Sequence, residues 1–444
     1  MKKILILGAG LSSNSLISFL EKEAAAHQWQ ITVGDRDPEL ARSKVTPPTR
    51  STDIDLRDDH QMDREVGDAD LVISMLPARL HPVVARFCLK NKKSLITASY
   101  ESPEMKQMEE EVKAAGLLFL NEMGLDPGID HMSAMQVIER IKGEGHRLTA
   151  FESFTGGLVA PESDDNPWHY KFTWNPTNVV LAGWPGPAVF LQCGRLKYIP
   201  YNRIFRRTEY MDIDGFGRFE GYANRDSLKY IERYNLHGID TIYRGTLRRP
   251  GFSQAWNIFV QLGATDNSYV MLNEEEMTHC EFINSFLYYH PKDSVEVKLY
   301  RAFHIDQDSP LIELLESLDL FSDEKIGLRK GTPAQFLEAI LMKKWSLKPD
   351  DKDLVVMWHK FNYIDHHSRE EKILTSSMGI TGENQVQTAM AKTVGLPLGI
   401  AAKLRLTGRL DLTGLYIPTI KEIYDPVLSE LRENGIIFRE KDKS

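Results

Sequence analysis

The chain has 444 residues, of which 42% are hydrophobic and 26% are charged. That length exceeds what one hydrophobic core usually organises, so the sequence predicts two or three domains of the ordinary soluble globular kind. The formal net charge of -9 argues against a nucleic-acid partner, because such binding draws most of its affinity from clustered Lys and Arg.

The first predicted element is a buried strand, KKILILG, that runs into a glycine-rich turn and then into a helix. A continuous apolar run suits a parallel strand that is covered on both faces. The turn matches GxGxx(small), in which Gly8 permits the tight turn, Gly10 lets the backbone approach a pyrophosphate and Ser13 replaces the third glycine. The alternative is a glycine turn in an unrelated fold. We assign these residues to dinucleotide binding: Gly8, Gly10, Leu11, Ser12 and Ser13.

Four more strands follow within the first 130 residues, in QWQITVGDRD, DADLVISMLP, KKSLITASY and GLLFLNEMGLDPG. Most of them end in polar or turn residues, and open α/β sheets bind their ligands at those ends. The sequence therefore predicts an α/β fold that begins with a Rossmann dinucleotide-binding domain. Asp55, Leu76 and Pro77 complete the predicted cofactor contacts.

Two neighbouring residues decide between NAD and NADP. Asp35 can accept hydrogen bonds from a free ribose 2′-hydroxyl and repel a 2′-phosphate, which favours NAD. Arg36 can pair with that phosphate, which favours NADP. The residues alone leave both cofactors open, together with a third interpretation in which both side chains are simply solvated.

Several segments in the rest of the chain carry a resemblance: DLVISMLP, ITASYESP, NEMGLDPGIDH, GGLVAPESDDNPWHYKFTW, YANRDS, YNLHGIDTIYRGTLR and AMAKTVGLPLGIAAKL. In this order they resemble the saccharopine reductase family, the L-glutamate-forming saccharopine dehydrogenases. The resemblance implies reversible hydride transfer between a nicotinamide and the carbon–nitrogen bond that joins glutamate to 2-aminoadipate 6-semialdehyde. It also implies NADP and a homodimer.

The substrate of that family carries several carboxylates, which guanidinium groups bind in a bidentate manner. Arg225 and Arg244 match the substrate-binding motifs of the family, and Gly245 and Thr246 follow with backbone and hydroxyl contacts. Arg233 and Arg248 are further candidates, with surface arginines on strand edges as the alternative.

The segment NEMGLDPGIDH reads as a strand end, a turn and a helix that starts at about Ile129. We expect Asp126 to accept a hydrogen bond from the cationic amine of the substrate or to stabilise an iminium. Asp130 and His131 are expected to be structural, in the cap and the first turn of that helix.

Three further residues are assigned to the substrate from the resemblance. Ser99 and Tyr100 match its substrate-contacting pair, and Tyr100 joins Asp126 as a catalytic candidate because its hydroxyl can donate a proton. Thr155 stands where the family has a cysteine, so a role of that thiol cannot be essential here.

Two other groups of polar residues favour structural interpretations. His169 and Lys171 can serve proton transfer, but the alternation in HYKFTW also fits a half-buried strand. His366 and His367 suggest a metal site, but adjacent residues on one loop rarely converge on one ion, so we expect a hairpin tip and no metal.

The rest of the chain predicts a mixed α+β substrate domain with a small helical insertion. VEVKLYRAF and DLVVMWHKFNYI alternate like strands, whereas the segments from Pro310 and Pro333 have helical periodicity. AMAKTVGLPLGIAAKLRL should be a helix interrupted at Gly395–Pro397, and the final REKDKS a frayed tail. The predicted domains are 1–130 with about 386–444 for the cofactor, 131–308 with 346–385 for the substrate and dimer contacts, and 309–345 for the insertion.

The three cysteines are scattered without a CxxC pair, which indicates a reducing compartment, and no apolar stretch approaches the roughly 20 residues that cross a bilayer. We therefore expect a cytoplasmic enzyme with a small-molecule substrate. Two rival hypotheses remain. One is a related amine dehydrogenase, of the lysine 6-dehydrogenase or carboxynorspermidine dehydrogenase type, and the other is a dinucleotide-binding protein without turnover.

Overall fold

The computed structural model describes residues 1–184, 186–272 and 276–443, and of residue 443 it describes only the backbone. The chain forms two compact units. Unit 1 contains residues 1–147, 365–369 and 382–439, and unit 2 contains residues 148–364, 370–381 and the chain end from 440. The first boundary thus lies at Arg147 rather than at the expected residue 130.

Unit 1 is built on a seven-stranded sheet in the order β17-β6-β5-β4-β1-β2-β3. The strands are β1 (Lys3–Leu7), β2 (Gln30–Asp35), β3 (Arg50–Asp53), β4 (Leu71–Ser74), β5 (Ser94–Thr97), β6 (Leu118–Leu120) and β17 (Gly414–Tyr416). All the pairings are parallel, and the central strands are buried on both faces. This arrangement confirms the predicted Rossmann fold. The sequence analysis missed β3 and β17, because RSTD and GLY contain no apolar run.

The helices of unit 1 lie between these strands. They are α1 (Asn14–His27), α2 (Pro38–Ser43), α3 (Asp59–Asp68), α4 (His81–Lys90), α5 (Pro103–Lys106), α6 (Glu109–Ala114), α7 (Ile129–Gly143), α15 (Ala389–Leu406) and α16 (Lys421–Glu433). The interruption expected at Gly395–Pro397 is wrong, since α15 runs continuously through both residues. A Cβ on Gly395 would lie 2.6 Å from the backbone nitrogen of Leu16, so this glycine lets α15 pack closely against α1.

Unit 2 contains a mixed sheet in the order β10-β11-β12-β7-β15-β16-β18, with β8 attached to β12 and β9 attached to β8. Its strands are β7 (Arg147–Val159), β8 (Ala188–Gln192), β9 (Arg195–Ile199), β10 (Thr208–Ile213), β11 (Gly217–Ala223), β12 (Thr241–Arg248), β15 (Asp353–Ile364), β16 (Glu371–Thr381) and β18 (Arg439–Lys443), and the short β13 (Met271–Leu272) and β14 (Lys330–Gly331) pair separately. β12 is parallel to β7 and antiparallel to β11, so the predicted mixed sheet is confirmed.

The helices of unit 2 are α8 (Pro176–Val180), α9 (Lys229–Arg233), α10 (Phe252–Leu262), α11 (His279–Asn284), α12 (Val295–Phe303), α13 (Pro310–Glu316) and α14 (Pro333–Trp345). The helices expected from Pro310 and Pro333 are therefore present. The strand expected in VEVKLYRAF is wrong, because this segment is α12. Val295, Leu299 and Phe303 have the i, i+4, i+8 spacing of a helix face and pack on the core.

Two predictions concern the ends of the long hairpin in unit 2. β15 and β16 are antiparallel, and His366 and His367 lie in the turn between them, as expected. The frayed tail is wrong, because residues 439–443 form β18 beside β16, and Thr375 Oγ1 donates to the carbonyl of Lys441 over 3.1 Å. A free edge of β16 gives the tail backbone partners that its sequence does not reveal.

Candidate functional site

The glycine-rich loop of unit 1 has the geometry that a pyrophosphate requires. Gly8 has φ +105°, and a Cβ there would lie 3.0 Å from the backbone carbonyl of Met75, whereas a Cβ on Gly10 would meet nothing within 4 Å. Open space at Gly10 allows a ligand to approach the backbone. Leu11–Ser13 form one 3-10 turn before α1, and Ser13 Oγ donates to the Gly10 carbonyl over 2.8 Å. The loop therefore fits a dinucleotide.

The predicted site residues of unit 1 follow one another along the carboxyl edge of the sheet. Asp126 comes after β6, Ser99 and Tyr100 after β5, Leu76 and Pro77 after β4, and Gly8 to Ser13 after β1. Asp35 is the last residue of β2 and Arg36 follows it, and Asp55 comes after β3. From β6 to β3 there are five strand spacings, about 24 Å in all. β2 and β3 lie on one side of β1 in the sheet, and β4, β5 and β6 lie on the other side. A ligand of an open α/β sheet binds at the point where the strand order reverses in this way.

The residues predicted to distinguish NAD from NADP, Asp35 and Arg36, lie at the end of β2. Asp35 accepts backbone N–H groups on both oxygens, from Ala9 over 2.7 Å and from Asp37 over 3.0 Å. Its carboxylate thus stabilises the glycine loop. Arg36 is exposed, and the side-chain hydrogen bond from Arg57 lowers the pKa of the neighbouring Asp55 to about 2. The guanidinium groups of Arg36 and Arg57 therefore both act on the Asp55 carboxylate at the far end of the sheet.

Tyr100 and Asp126 form a hydrogen-bonded pair. The hydroxyl of Tyr100 donates to Oδ1 of Asp126 over 2.9 Å, and both residues are half-buried. They come from the loops after neighbouring strands β5 and β6. The two predicted catalytic residues thus lie together in unit 1.

A buried contact between a carboxyl group and a histidine lies beside them. Glu122 and His131 are fully buried, and His131 Nε2 lies 2.7 Å from Glu122 Oε2. Oε1 of Glu122 accepts the backbone N–H of Glu101 over 2.9 Å. Asp130 accepts the N–H of Gly128 over 2.6 Å but lies in the first turn of α7, whose N-cap is Gly128, so the expected cap at Asp130 is wrong. His131 lies in the first turn, as expected.

Arg244 lies inside unit 2 with its guanidinium over an aromatic ring. Its side chain is 5% exposed, and its Cζ lies 4.1 Å from the centre of the Tyr230 ring. The backbone N–H of Arg244 donates to Ser227 Oγ over 3.0 Å, which fixes the strand beside the loop that carries Arg225. Arg225 is exposed and has φ 49°, while the half-buried Arg233 lies 5.8 Å from the same ring.

The β12–β7 register brings Thr155 next to Thr246 and Ser153 next to Arg244. Facing residues of a parallel pair point to the same side of the sheet, so these polar side chains share one face. The hydroxyl of Thr155 is buried and has no hydrogen-bond partner among the described residues. A buried hydroxyl without a partner is costly, which makes Thr155 a candidate for a ligand contact.

Three other candidates have structural contacts. Arg248 is 4% exposed, with its Cζ 4.8 Å from the centre of the Tyr170 ring, so it is not a surface arginine. Lys171 is buried between Asp351 and Asp165, at 2.7 and 2.8 Å. His169 lies 2.6 Å from Asp164. HYKFTW forms only one isolated bridge, so the expected regular strand is wrong.

Comparison with known proteins identifies the family. Residues 4–120 match the saccharopine dehydrogenase NADP binding domain, and residues 124–436 match the saccharopine dehydrogenase C-terminal domain. The chain belongs to the saccharopine dehydrogenase family.

Relatives of full length are known within this family. The saccharopine dehydrogenase [NADP(+), L-glutamate-forming] of Pyricularia oryzae is 34% identical, with 99% of both chains covered. The structure of apo saccharopine dehydrogenase (L-Glu forming) from Saccharomyces cerevisiae has a TM-score of 0.90 at 30% identity and covers both chains fully. The mitochondrial alpha-aminoadipic semialdehyde synthase of Rattus norvegicus is 36% identical, but the chain spans only 47% of its length.

Within the saccharopine dehydrogenase fold, sequence reasoning missed two buried groups at the sheet edge, His81 and Glu122. His81 lies outside the quoted motifs, and Glu122 lies in NEMGLDPGIDH but had no role assigned to it. His81 reaches Ser99, and Glu122 reaches the backbone of Glu101, only because β5 pairs with its neighbours in the sheet. Among the residues that the structure describes, no cluster of three metal-binding side chains is present, and no helix has the length and apolarity of a membrane span.

Proposed function

We propose that the chain is an NADP-dependent, L-glutamate-forming saccharopine dehydrogenase of lysine metabolism. The observation that carries the proposal is the match over 99% of both chains to the fungal enzymes with that name. The glycine loop and the parallel sheet support a nicotinamide dinucleotide, which supplies or accepts the hydride when bound. The protein then has to bind the amino acid, orient it and hold its charges.

In this proposal Asp126 binds the secondary amine of the substrate. The carboxylate attracts the cationic amine or the developing iminium, and the hydrogen bond from Tyr100 fixes one of its oxygens. Tyr100 is in turn placed to donate or accept a proton as the carbon–nitrogen bond is reduced or oxidised. Orientation by this pair and by Ser99 is the main requirement, because hydride transfer itself needs no protein base.

The carboxylates of the substrate are assigned to unit 2. Arg225 and Arg244 supply planar guanidinium donors, and Arg244 is held in place by its contact with Tyr230. The hydroxyls of Thr155 and Thr246 and the backbone of Gly245 complete this set. The unpartnered Thr155 hydroxyl supports a ligand contact at this position.

NADP is the proposed cofactor because the first domain match and the fungal relatives bear that cofactor in their names. Arg36 is the proposed partner of the 2′-phosphate, since it is exposed at the end of β2. Asp35 then serves the glycine loop through its two backbone hydrogen bonds. A homodimer in the cytoplasm completes the proposal, and light scattering of the purified chain measures the dimer.

One assay tests the activity. Nicotinamide absorbance is followed with saccharopine, lysine and carboxynorspermidine, each with NAD and with NADP. Turnover of saccharopine with NADP, with glutamate as a product, is the expected result. Turnover of lysine or carboxynorspermidine alone would contradict the proposal in favour of a related amine dehydrogenase, and dinucleotide binding without any turnover would indicate a binding protein.

A further inference from the structure

A buried histidine joins the ends of two neighbouring strands of unit 1. His81 is the first residue of α4 and is 3% exposed. Its Nδ1 lies 2.8 Å from the hydroxyl of Ser74, the last residue of β4, and its Nε2 lies 2.8 Å from the hydroxyl of Ser99, just after β5. Thr97 Oγ1 lies 3.1 Å from the same Nε2. The ring thus contacts three hydroxyls at the edge where the site residues lie.

The ring is neutral at neutral pH, since burial lowers the pKa of His81 to about 4. A neutral imidazole has one N–H donor and one acceptor nitrogen. If Nε2 accepts, the hydroxyl of Ser99 donates inward and presents only lone pairs to a ligand. If Nε2 carries the proton, Ser99 accepts inward and its own hydrogen is available to a ligand. In both tautomers the ring gives the Ser99 hydroxyl a fixed direction.

We propose that His81 is a positioning residue, which orients the hydroxyl of Ser99 for the amino-acid substrate. The inference rests on the proposed function, in which Ser99 contacts that substrate. Ser99 is half-buried at the sheet edge, whereas His81 is buried behind it, so His81 acts through Ser99. Its second contact, with Ser74, anchors the ring to the strand that precedes the predicted cofactor contacts Leu76 and Pro77.

A double-mutant cycle tests the inference in the full chain. His81→Ala and Ser99→Ala should each raise the KM for saccharopine by about tenfold, the effect of one hydrogen bond. The KM for NADP should change by less than about twofold in each variant, because the glycine loop is untouched. The KM for saccharopine of the double variant should be no higher than that of Ser99→Ala, since both changes remove the same oriented hydroxyl. His81→Gln, which keeps a donor and an acceptor, should recover part of the loss.

Val84→Ala is the matched control. Val84 is fully buried on the same helix, so its truncation reports a plain loss of packing at α4. An equal rise in KM with Val84→Ala, or additive effects of His81→Ala and Ser99→Ala, would overturn the inference. If His81→Ala does not fold, the same cycle with His81→Gln decides between these outcomes. Absent wild-type turnover of saccharopine would contradict the proposed function, whereas normal wild-type turnover with additive variants would contradict only the role of His81.

Discussion

The two units hold their polar candidates in different ways. In unit 1 the candidates lie at the end of a parallel strand or in the loop that follows it. In unit 2, Thr155, Arg244 and Thr246 lie inside strands β7 and β12, and the register of those strands brings them together. A strand end is visible in a sequence, whereas a register is not. The polar site of unit 1 is therefore predictable from local pattern, and that of unit 2 depends on long-range pairing.

The same difference gives glycine two roles. A Cβ on Gly10, in the loop of unit 1, would meet nothing within 4 Å, but a Cβ on Gly245, inside β12, would lie 2.2 Å from Phe154 Cε1 and 2.6 Å from the carbonyl oxygen of Tyr222. We infer that Gly10 lacks a side chain to make room for a ligand, and that Gly245, whose backbone is also assigned to the substrate, lacks one because Phe154 and Tyr222 pack against it. Changes at these two positions should therefore affect different measurements.

The largest effect is expected for Gly245→Ala. The added methyl group would overlap both Phe154 and the backbone of β11, so the free energy of unfolding should fall by at least about 2 kcal/mol. Thermal and urea unfolding measure this loss. Unchanged unfolding would show that the close contact relaxes without cost, and the packing role of Gly245 would then be wrong.

Arg244→Leu should have the next largest effect, on the substrate rather than on the fold. Loss of a charge-assisted contact should raise the KM for the amino acid by about 100-fold and leave the KM for the dinucleotide unchanged. Arg225→Ala, at an exposed position, should raise the KM for the amino acid by about tenfold. Arg248→Leu is the control, because Arg248 is equally buried on the same strand but packs among aromatic rings. Equal KM values for the Arg244 and Arg248 variants would contradict the substrate assignment.

Gly10→Ala should separate binding from folding. Gly10 has φ -65°, which alanine adopts readily. The free energy of unfolding should therefore stay unchanged or rise by about 0.5 kcal/mol. Dinucleotide affinity should fall by about tenfold, because the methyl group occupies the space of the pyrophosphate. Isothermal titration with NADP measures the affinity, and an unaltered dissociation constant would contradict the cofactor assignment of this loop.

The smallest effect concerns pH and the ion pairs of unit 2. Burial tends to raise the pKa of Asp165, but hydrogen bonds from Lys171 and Lys348 outweigh it and hold the pKa at about 2, below the ordinary value of 3.8. A lowered pKa contributes stability above 3.8 that is lost as the pH falls towards 2.

Asp165→Asn should therefore flatten the pH dependence of unfolding in this acid range. The side chain is 42% exposed, so solvent screening limits the contribution to at most about 1 kcal/mol. Urea unfolding at several acid pH values gives the slope, with the exposed Asp308→Asn as control. If the free energy of unfolding of Asp165→Asn changes with pH as steeply as that of the unchanged chain, the ion pairs of Asp165 do not cause this pH dependence.

Much of unit 1 could be predicted because apolar strands and polar strand ends have local signatures. The strands β1, β2, β4, β5 and β6 and the start of α7 at Ile129 all lie where the sequence indicated. The hydrogen bond between Tyr100 and Asp126 follows from the adjacency of β5 and β6. His81 was missed, because Ser99 meets it only through the pairing of β4 with β5.

The errors in unit 2 share a cause. In VEVKLYRAF, alternation and helical spacing coincide, and only packing of Val295, Leu299 and Phe303 on the core selects the helix. The charged tail becomes β18 because β16 offers an unpaired edge. In both cases the deciding energy comes from a distant part of the chain.

The Rossmann domain, the cofactor loop and the family can be recognised from the sequence, since each of these depends on short patterns whose residues are neighbours in the chain. The folded chain is needed to know which polar residues meet, such as His81 with Ser99, and which arginine is packed among aromatic rings. Hydrogen bonds and close packing act over a few ångströms in space, and residues far apart in the chain reach that distance only after folding.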